Sequence, residues 1–222
     1  MESLVEENAR RRQQIRGSPS VTPDETGWKA AGRLWWMWAF SSDKVTVYSI
    51  RPGRGYEQTS AILGTDYDGF LVRDGWAVYQ RFTEAVHRTC AAHLLRRRRE
   101  MPEVSRPGTA ALPGTVQQIP QASLELRDRR DGNQIGARGL ASARSRLEAR
   151  LDRVLHRHNR APANRRLANH LLRERDAMFA FLPCPGLDAA DNRAGQAIYS
   201  MVVTRKVWGS NRSICPSPKP WS

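Results

Sequence analysis

The chain is poor in cysteine, in long apolar runs and in negative charge. Its cysteines, Cys90, Cys184 and Cys215, are too few and too scattered to form a disulfide framework. The longest apolar run, Leu34 to Phe40, is far too short to cross a bilayer, and the polar N-terminus predicts no secretory signal. We therefore expect a soluble cytoplasmic protein that has no membrane partner.

Arginine is what the sequence has in excess. Its 222 residues carry 36 Lys and Arg against 22 Asp and Glu, which gives a formal net charge of +14. Between Arg127 and Arg175 there are 14 arginines and five acids. Such a charge favours polyanionic partners, because each neutralised phosphate releases condensed counterions. The alternative source of the arginines is the codon usage of a GC-rich genome. With 40% apolar residues, the chain is too hydrophobic for general disorder.

The first half of the chain alternates between strand and helix patterns. Residues 1–17 predict a short helix or a frayed end, and the segment after them, with two prolines, is extended. The later predictions are an antiparallel hairpin from 34–40 and 45–50, a helix over 56–63, a buried strand within 69–75 and a helix over 83–101.

The second half begins with a proline-rich stretch, 102–122, which predicts an irregular connection. Two amphipathic helices with arginine on their outer faces follow. Their apolar stripes are Leu140, Leu147, Leu151, Val154 and Leu155, and then Leu167, Leu171, Met178 and Leu182. A last helix is predicted over 188–206, and the residues 214–222 predict a disordered tail.

This order of elements is that of a ribonuclease-H-like α/β fold, a mixed sheet flanked by helices. Residues 18–101 would form the first part of the catalytic domain, and the helix in 187–213 would complete it. Between them, residues 102–186 would form an irregular connection and a helical, arginine-rich insertion. In that fold, carboxylates on neighbouring strands and on the late helix hold two divalent metals, usually Mg²⁺, which prefers hard oxygen ligands. The candidates on the strands are Asp24 and Asp74. Their alternative role is in turns, where aspartate is common.

Several short sequence motifs resemble those of a known family. They are Asp-Glu-Thr-Gly-Trp (24–28), Arg-Asp-Gly-Trp-Ala-Val-Tyr (73–79), Cys-Ala-Ala-His-Leu-Leu-Arg-Arg (90–97) and Arg-Lys-Val-Trp-Gly (205–209). In this order they resemble the DDE transposases of the insertion-sequence 66 class. The resemblance implies a ribonuclease-H-like domain that cuts and rejoins transposon DNA with Mg²⁺, and it assigns the first two catalytic acids to Asp24 and Asp74.

The third acid of the family is missing. The late helix reads Asn192-Arg193-Ala194-Gly195-Gln196, so Gly195 stands where the resemblance places a metal-binding glutamate. We therefore expect impaired cleavage and strand transfer, unless Asp191, one helical turn earlier, substitutes for the missing acid. The alternatives are a non-catalytic DNA-binding remnant, or a pseudogene product with no function. The expected partners are transposon-end DNA, another copy of the chain or a full-length transposase, at the bacterial nucleoid.

Other residues are candidates for binding roles. Phosphate contacts are expected from six basic residues, Arg96, Arg97, Arg98, Arg99, Arg205 and Lys206. His87, Cys90 and His93 have a spacing seen in zinc sites, but no fourth ligand stands nearby, so Cys90 is expected in the core. Trp35, Trp36 and Trp38 could stack bases, and their β context favours a place in the sheet core instead.

Overall fold

The computed structural model describes residues 3–30, 32–90, 111–156, 162–185 and 193–207. The helices and strands in these ranges are α1 (Leu4–Arg16), β1 (Ser20–Ala30), β2 (Arg33–Ser41), β3 (Thr46–Arg51), α2 (Tyr56–Leu63), β4 (Phe70–Arg73), β5 (Val86–Thr89), α3 (Ala111–Asp131), α4 (Ala137–Leu155), α5 (Pro162–Phe179) and α6 (Arg193–Val207). A 3₁₀ helix, Ala77–Arg81, lies between β4 and β5.

The strands form a mixed five-stranded sheet in the order β3-β2-β1-β4-β5. Neighbours β1, β2 and β3 are antiparallel, whereas β1 and β4 run parallel, with Ser20 opposite Phe70 and Val21 opposite Leu71. Gly32 has a φ of +74° and lies in the tight turn between the paired residues Ala30 and Arg33, a conformation that glycine adopts without steric cost. The chain is thus an α/β protein, as expected.

Contacts divide the chain into two compact units. The first, here called the sheet unit, contains the described residues of Met1–Leu71, Val78–Ala85 and Asn192–Ser222. The second, here called the helical unit, contains the described residues of Val72–Ala77 and Val86–Asp191. No helix in the described ranges is long and apolar enough to span a membrane.

Alternating residues give the sheet unit two apolar faces. One face carries Trp28, Ala30, Met37 and Ala39, and α6 packs on it through Ile198. The other face of β2 carries Trp38 and Phe40, whose stacked rings lie 6.0 Å apart. Trp38 is fully buried, which confirms that it belongs to the sheet core.

Helices α3, α4 and α5 surround the core of the helical unit, and the two predicted apolar stripes are confirmed there. Leu151, Leu171, Phe179 and Leu182 are fully buried, and Ile119 of α3 joins them. The arginines of α4 and α5 lie mainly outside this core, as their spacing predicts.

Two predictions about secondary structure were wrong. Residues 86–89 form the strand β5 rather than part of a helix over 83–101, and 91–101 lie outside the described residues. The connection predicted for 102–122 is helical from Ala111 onward, with Pro120 inside α3. Pro120 is buried next to Ile119, so tertiary packing offsets the backbone hydrogen bond that proline cannot donate.

Candidate active site

Asp24 lies inside β1 rather than at its tip, because the strand continues to Ala30. It pairs with Ala39, so it belongs to the face of the sheet on which α6 packs. The side chain is half-buried, and its Oδ1 accepts a hydrogen bond of 2.9 Å from the backbone N–H of Glu25. A carboxylate therefore lies on the side of the sheet that α6 covers.

Gly195 lies on α6, beside the residues that hold this helix to the sheet. Ala194 is fully buried, and Ile198, one turn after Gly195, belongs to the cluster on the sheet face. Residues three apart share a helix face. Gly195 therefore lies toward the face of the sheet that carries Asp24, but it presents no carboxylate.

Glu25, the next acid along β1, points to the opposite face of the sheet. Its carboxylate accepts hydrogen bonds from Arg54 Nε at 2.6 Å and from the Tyr79 hydroxyl at 3.0 Å. The Arg54 guanidinium lies 4.9 Å from the ring centroid of Trp36, so it contacts both the acid and an aromatic ring. This acid is neutralised inside the sheet unit and does not share the side of Asp24.

Asp74 immediately follows β4 in the helical unit. Its Oδ1 accepts a 2.9 Å hydrogen bond from the Trp76 backbone N–H, which is an Asx turn. The prediction that an acid follows this buried strand is confirmed. The turn role expected as the alternative is also present.

The turn after Asp74 is fitted tightly against α5. Gly75 has a φ of +85°, and a Cβ added to it would lie 2.4 Å from His170 Cε1 and 3.4 Å from Glu174 Cδ. Only glycine fits both the backbone conformation and the space. Helix α5 therefore fixes the position of the backbone next to the candidate ligand.

A buried polar network lies behind this turn. Arg73 donates from Nη1 to Glu174 Oε2 at 2.7 Å, and Thr89 donates to the same oxygen at 2.9 Å. Arg73 Nε also donates to His87 Nδ1 at 3.1 Å. The side chains of Arg73 and Glu174 are 4% and 1% exposed, so the ion pair is isolated from water. It connects the end of β4, and β5, to α5.

Sequence reasoning missed Glu174 and His170. The signal was present, since Glu174 falls inside the apolar stripe of α5, three residues after Leu171 and four before Met178. An acid within a buried helix face requires a buried cationic partner. The buried arginine that ends β4 is that partner, and only the fold brings the two together.

The remaining predicted residues have mixed outcomes. Arg96, Arg97, Arg98, Arg99, His93 and Asp191 lie outside the described residues, and Arg205 and Lys206 belong to the last turn of α6. Cys90 is fully buried, as predicted, and His87 accepts from Arg73. Within the described ranges, no cluster of three or more His, Cys, Asp or Glu could hold a metal ion. The donors found there do not make up a complete two-metal site.

The mixed sheet, its flanking helices and the acid on the α6 side are consistent with a nuclease-like fold. The sequence matches the family model of the transposase IS66 family over residues 2–214, and the chain belongs to this family. DDE transposases act on DNA and generally use divalent metal ions. No curated protein and no solved structure matches the chain at a significant level.

Proposed function

We propose that this chain is a transposase-derived protein that binds the DNA of an insertion sequence and is impaired in cleavage and strand transfer. The observation that carries the proposal is Gly195 on α6, facing the acid-bearing side of the sheet. Family membership supports the DNA substrate. Its place of action would be the cytoplasm, at the nucleoid.

The catalytic domain is proposed to be ribonuclease-H-like. In support, the sheet has three antiparallel strands followed by a parallel one, α2 lies between β3 and β4, and a late helix packs on the sheet. The arginine-rich segment 102–186 would be an insertion before that late helix. Arg96 to Arg99, Arg205 and Lys206 are proposed to contact the phosphate backbone.

Asp24 and Asp74 are proposed as the two surviving metal ligands. Family membership supports this pair, because the motifs that resemble the family's first two acid-bearing segments contain Asp24 and Asp74. These two acids would hold Mg²⁺, which would supply electrostatic stabilisation of the negative charge on the phosphate oxygens while the phosphorus is attacked. The chain's own acids supply oxygen ligands, and the missing third acid removes both a negative charge and a coordination arm.

The test is the reverse substitution, Gly195→Glu. The unmodified chain, Gly195→Glu and Gly195→Gln would be incubated with transposon-end DNA and Mg²⁺ or Mn²⁺, and nicked and joined products measured. We expect products well above background only from Gly195→Glu, because Gln matches its size but lacks the charge. Adding Asp24→Asn to Gly195→Glu should abolish the gain.

Robust cleavage by the unmodified chain, lost on Asp24→Asn, would contradict the proposed impairment. A second candidate function is favoured by the same glycine. A chain that folds and binds ends without cutting them could compete with a full-length transposase for DNA or for subunits. Inhibition of an active relative by the unmodified chain supports this remnant role, and a chain without a cooperative thermal transition would instead be a non-functional product.

A further inference from the structure

The solvent face of α4 concentrates arginine and excludes acids. Opposite the buried Leu151 and Leu155 lie Arg146, Arg150 and Arg153, at the i, i+4 and i+7 spacing of one helix face. Arg138 lies two turns before Arg146, near the same face. These four side chains are here called the α4 arginine face. From the first to the last it extends about 22 Å along the helix.

The two acids of α4 are on its flank, and each is neutralised by an arginine that is not part of this face. Glu148 pairs with Arg144 at 2.7 Å, and Asp152 pairs with Arg175 of α5 at 2.7 Å. Among the described residues, no carboxylate pairs with the α4 arginine face. The positive charge on this face is therefore not compensated by its neighbours.

The hydrogen bonds that three of these arginines make go to neutral groups. Arg146 donates to the Ser142 hydroxyl at 3.0 Å, Arg153 donates to the Ala149 carbonyl at 3.3 Å, and Arg150 contacts the Gln118 amide oxygen. Ser142 and Ala149 are exposed on the same side of the helix. Side chains this small leave room for an extended polyanion to approach the guanidinium groups.

We propose that the α4 arginine face is a docking surface for the phosphate backbone of duplex DNA. Charge complementarity carries the assignment, since a row of uncompensated guanidinium groups matches a row of phosphates and forms bidentate contacts with them. The contact is expected to be independent of base sequence, because the guanidinium groups are proposed to bind phosphates rather than base edges. This inference rests on the proposed DNA-binding function and assigns it to a surface of the helical unit.

The experiment compares two double variants of the full chain with equal charge change. Arg146→Gln with Arg153→Gln alters the face, while Arg10→Gln with Arg11→Gln is the control on α1, where both arginines pair with Glu7. Binding to a labelled duplex of arbitrary sequence is measured by anisotropy between about 50 and 200 mM salt. Circular dichroism checks that helix content is unchanged, as expected for exposed Arg→Gln.

We expect the α4 variant to weaken binding about tenfold at the higher salt and to reduce the slope of log K against log salt by about two, one for each lost phosphate contact. The control should keep the slope of the unmodified chain. If both variants lose the same affinity for the duplex, or if the α4 variant loses none, the α4 arginine face is not the docking surface. The proposal that the chain binds DNA would then still stand.

Two further outcomes distinguish a failure of this inference from a failure of the proposed DNA-binding function. An unmodified chain that binds no duplex even at low salt would overturn the proposed function, and the surface with it. If RNA of matched length competes better than the duplex, and does so through Arg146 and Arg153, then the face belongs to RNA and the DNA assignment is wrong.

Discussion

At the scale of single residues, the buried ion pair behind Asp74 gives the clearest prediction. Glu174→Leu leaves the Arg73 guanidinium buried without its carboxylate partner. Breaking such a pair from one side costs about 3–5 kcal/mol of unfolding free energy, whereas replacing both partners with apolar groups costs far less. Arg73→Met combined with Glu174→Leu should therefore be more stable than Glu174→Leu alone, as measured by urea unfolding.

The exposed Glu125→Leu is the control for that series, since Glu125 is an acid on α3 that lies at the surface. It should change the unfolding free energy by less than about 0.5 kcal/mol. If Glu174→Leu is equally mild, the pair does not hold β4 to α5.

A second residue-scale prediction concerns two glycines with similar backbone conformation. Gly75→Ala should cost about 2–4 kcal/mol, because it adds a collision with His170 to the strain of a positive φ. Gly32→Ala adds only the strain of the positive φ, since nothing lies within 4 Å of its added Cβ. It should lower the unfolding free energy by about 1–2 kcal/mol. Unfolding by denaturant measures both.

Adding His170→Ala separates the collision from the backbone strain. If the collision matters, Gly75→Ala costs less in the His170→Ala background than in the unmodified chain. Equal costs in the two backgrounds would contradict the close fit of this turn against α5.

At the scale of elements, α4 and α5 are joined by Asp152 and Arg175. Arg175 donates from Nε and Nη2 to the two carboxylate oxygens at 2.7 and 2.8 Å. These hydrogen bonds lower the pKa of Asp152, and they raise the pKa of Arg175. Because the folded pKa of the acid lies below its unfolded value of about 3.9, the pair stabilises the protein above that pH.

Asp152→Asn should reduce stability by about 1 kcal/mol near pH 7, a modest value because both side chains are one-third exposed and screened by water. The difference from the unmodified chain should shrink as the pH falls from about 5 through the folded pKa of Asp152. Thermal melting against pH measures it, with the more exposed Asp128→Asn on α3 as control. If the stability difference between Asp152→Asn and the unmodified chain grows as the pH falls, the pair does not stabilise the protein through an ionised Asp152.

The elements also show what sequence could predict. Local pattern was sufficient for α2, whose bounds match, for the aromatic strand β2, and for the stripes of α4 and α5. It failed at β5, because Val86 and Cys90 have helical spacing while the strand is stabilised by neighbours distant in sequence. It failed at α3, where packing around Ile119 overrides Pro120. Asp24 and Asp74 were predicted as ligands from the order of elements and from the resemblance, whereas Glu174 could be recognised only together with its partner Arg73.

At the scale of the whole molecule, α6 completes the sheet unit although it comes late in the chain. A variant that ends at residue 186 would expose Met37, Ala39 and Trp28 to water. We expect its β1 and β2 amides to exchange at least tenfold faster with deuterium, because the apolar cover of the sheet is lost. The amides of α4 should keep their protection, since their core is that of the helical unit.

The matched control ends after Val207 and retains all of α6. It should protect β1 and β2 better than the shorter variant does. Identical exchange in the two variants would show that α6 contributes little to the stability of the sheet.

The late position of α6 has a consequence for synthesis on the ribosome. The strands that it covers are made early, and the helical unit is then translated before their cover exists. During that interval an aromatic-rich surface is bare in the nascent polypeptide, at a stage when incomplete folds are prone to aggregate. Chaperones that shield emerging apolar segments would therefore bind this protein chiefly after β2 has been translated and before the helix that bears Gly195 has been translated.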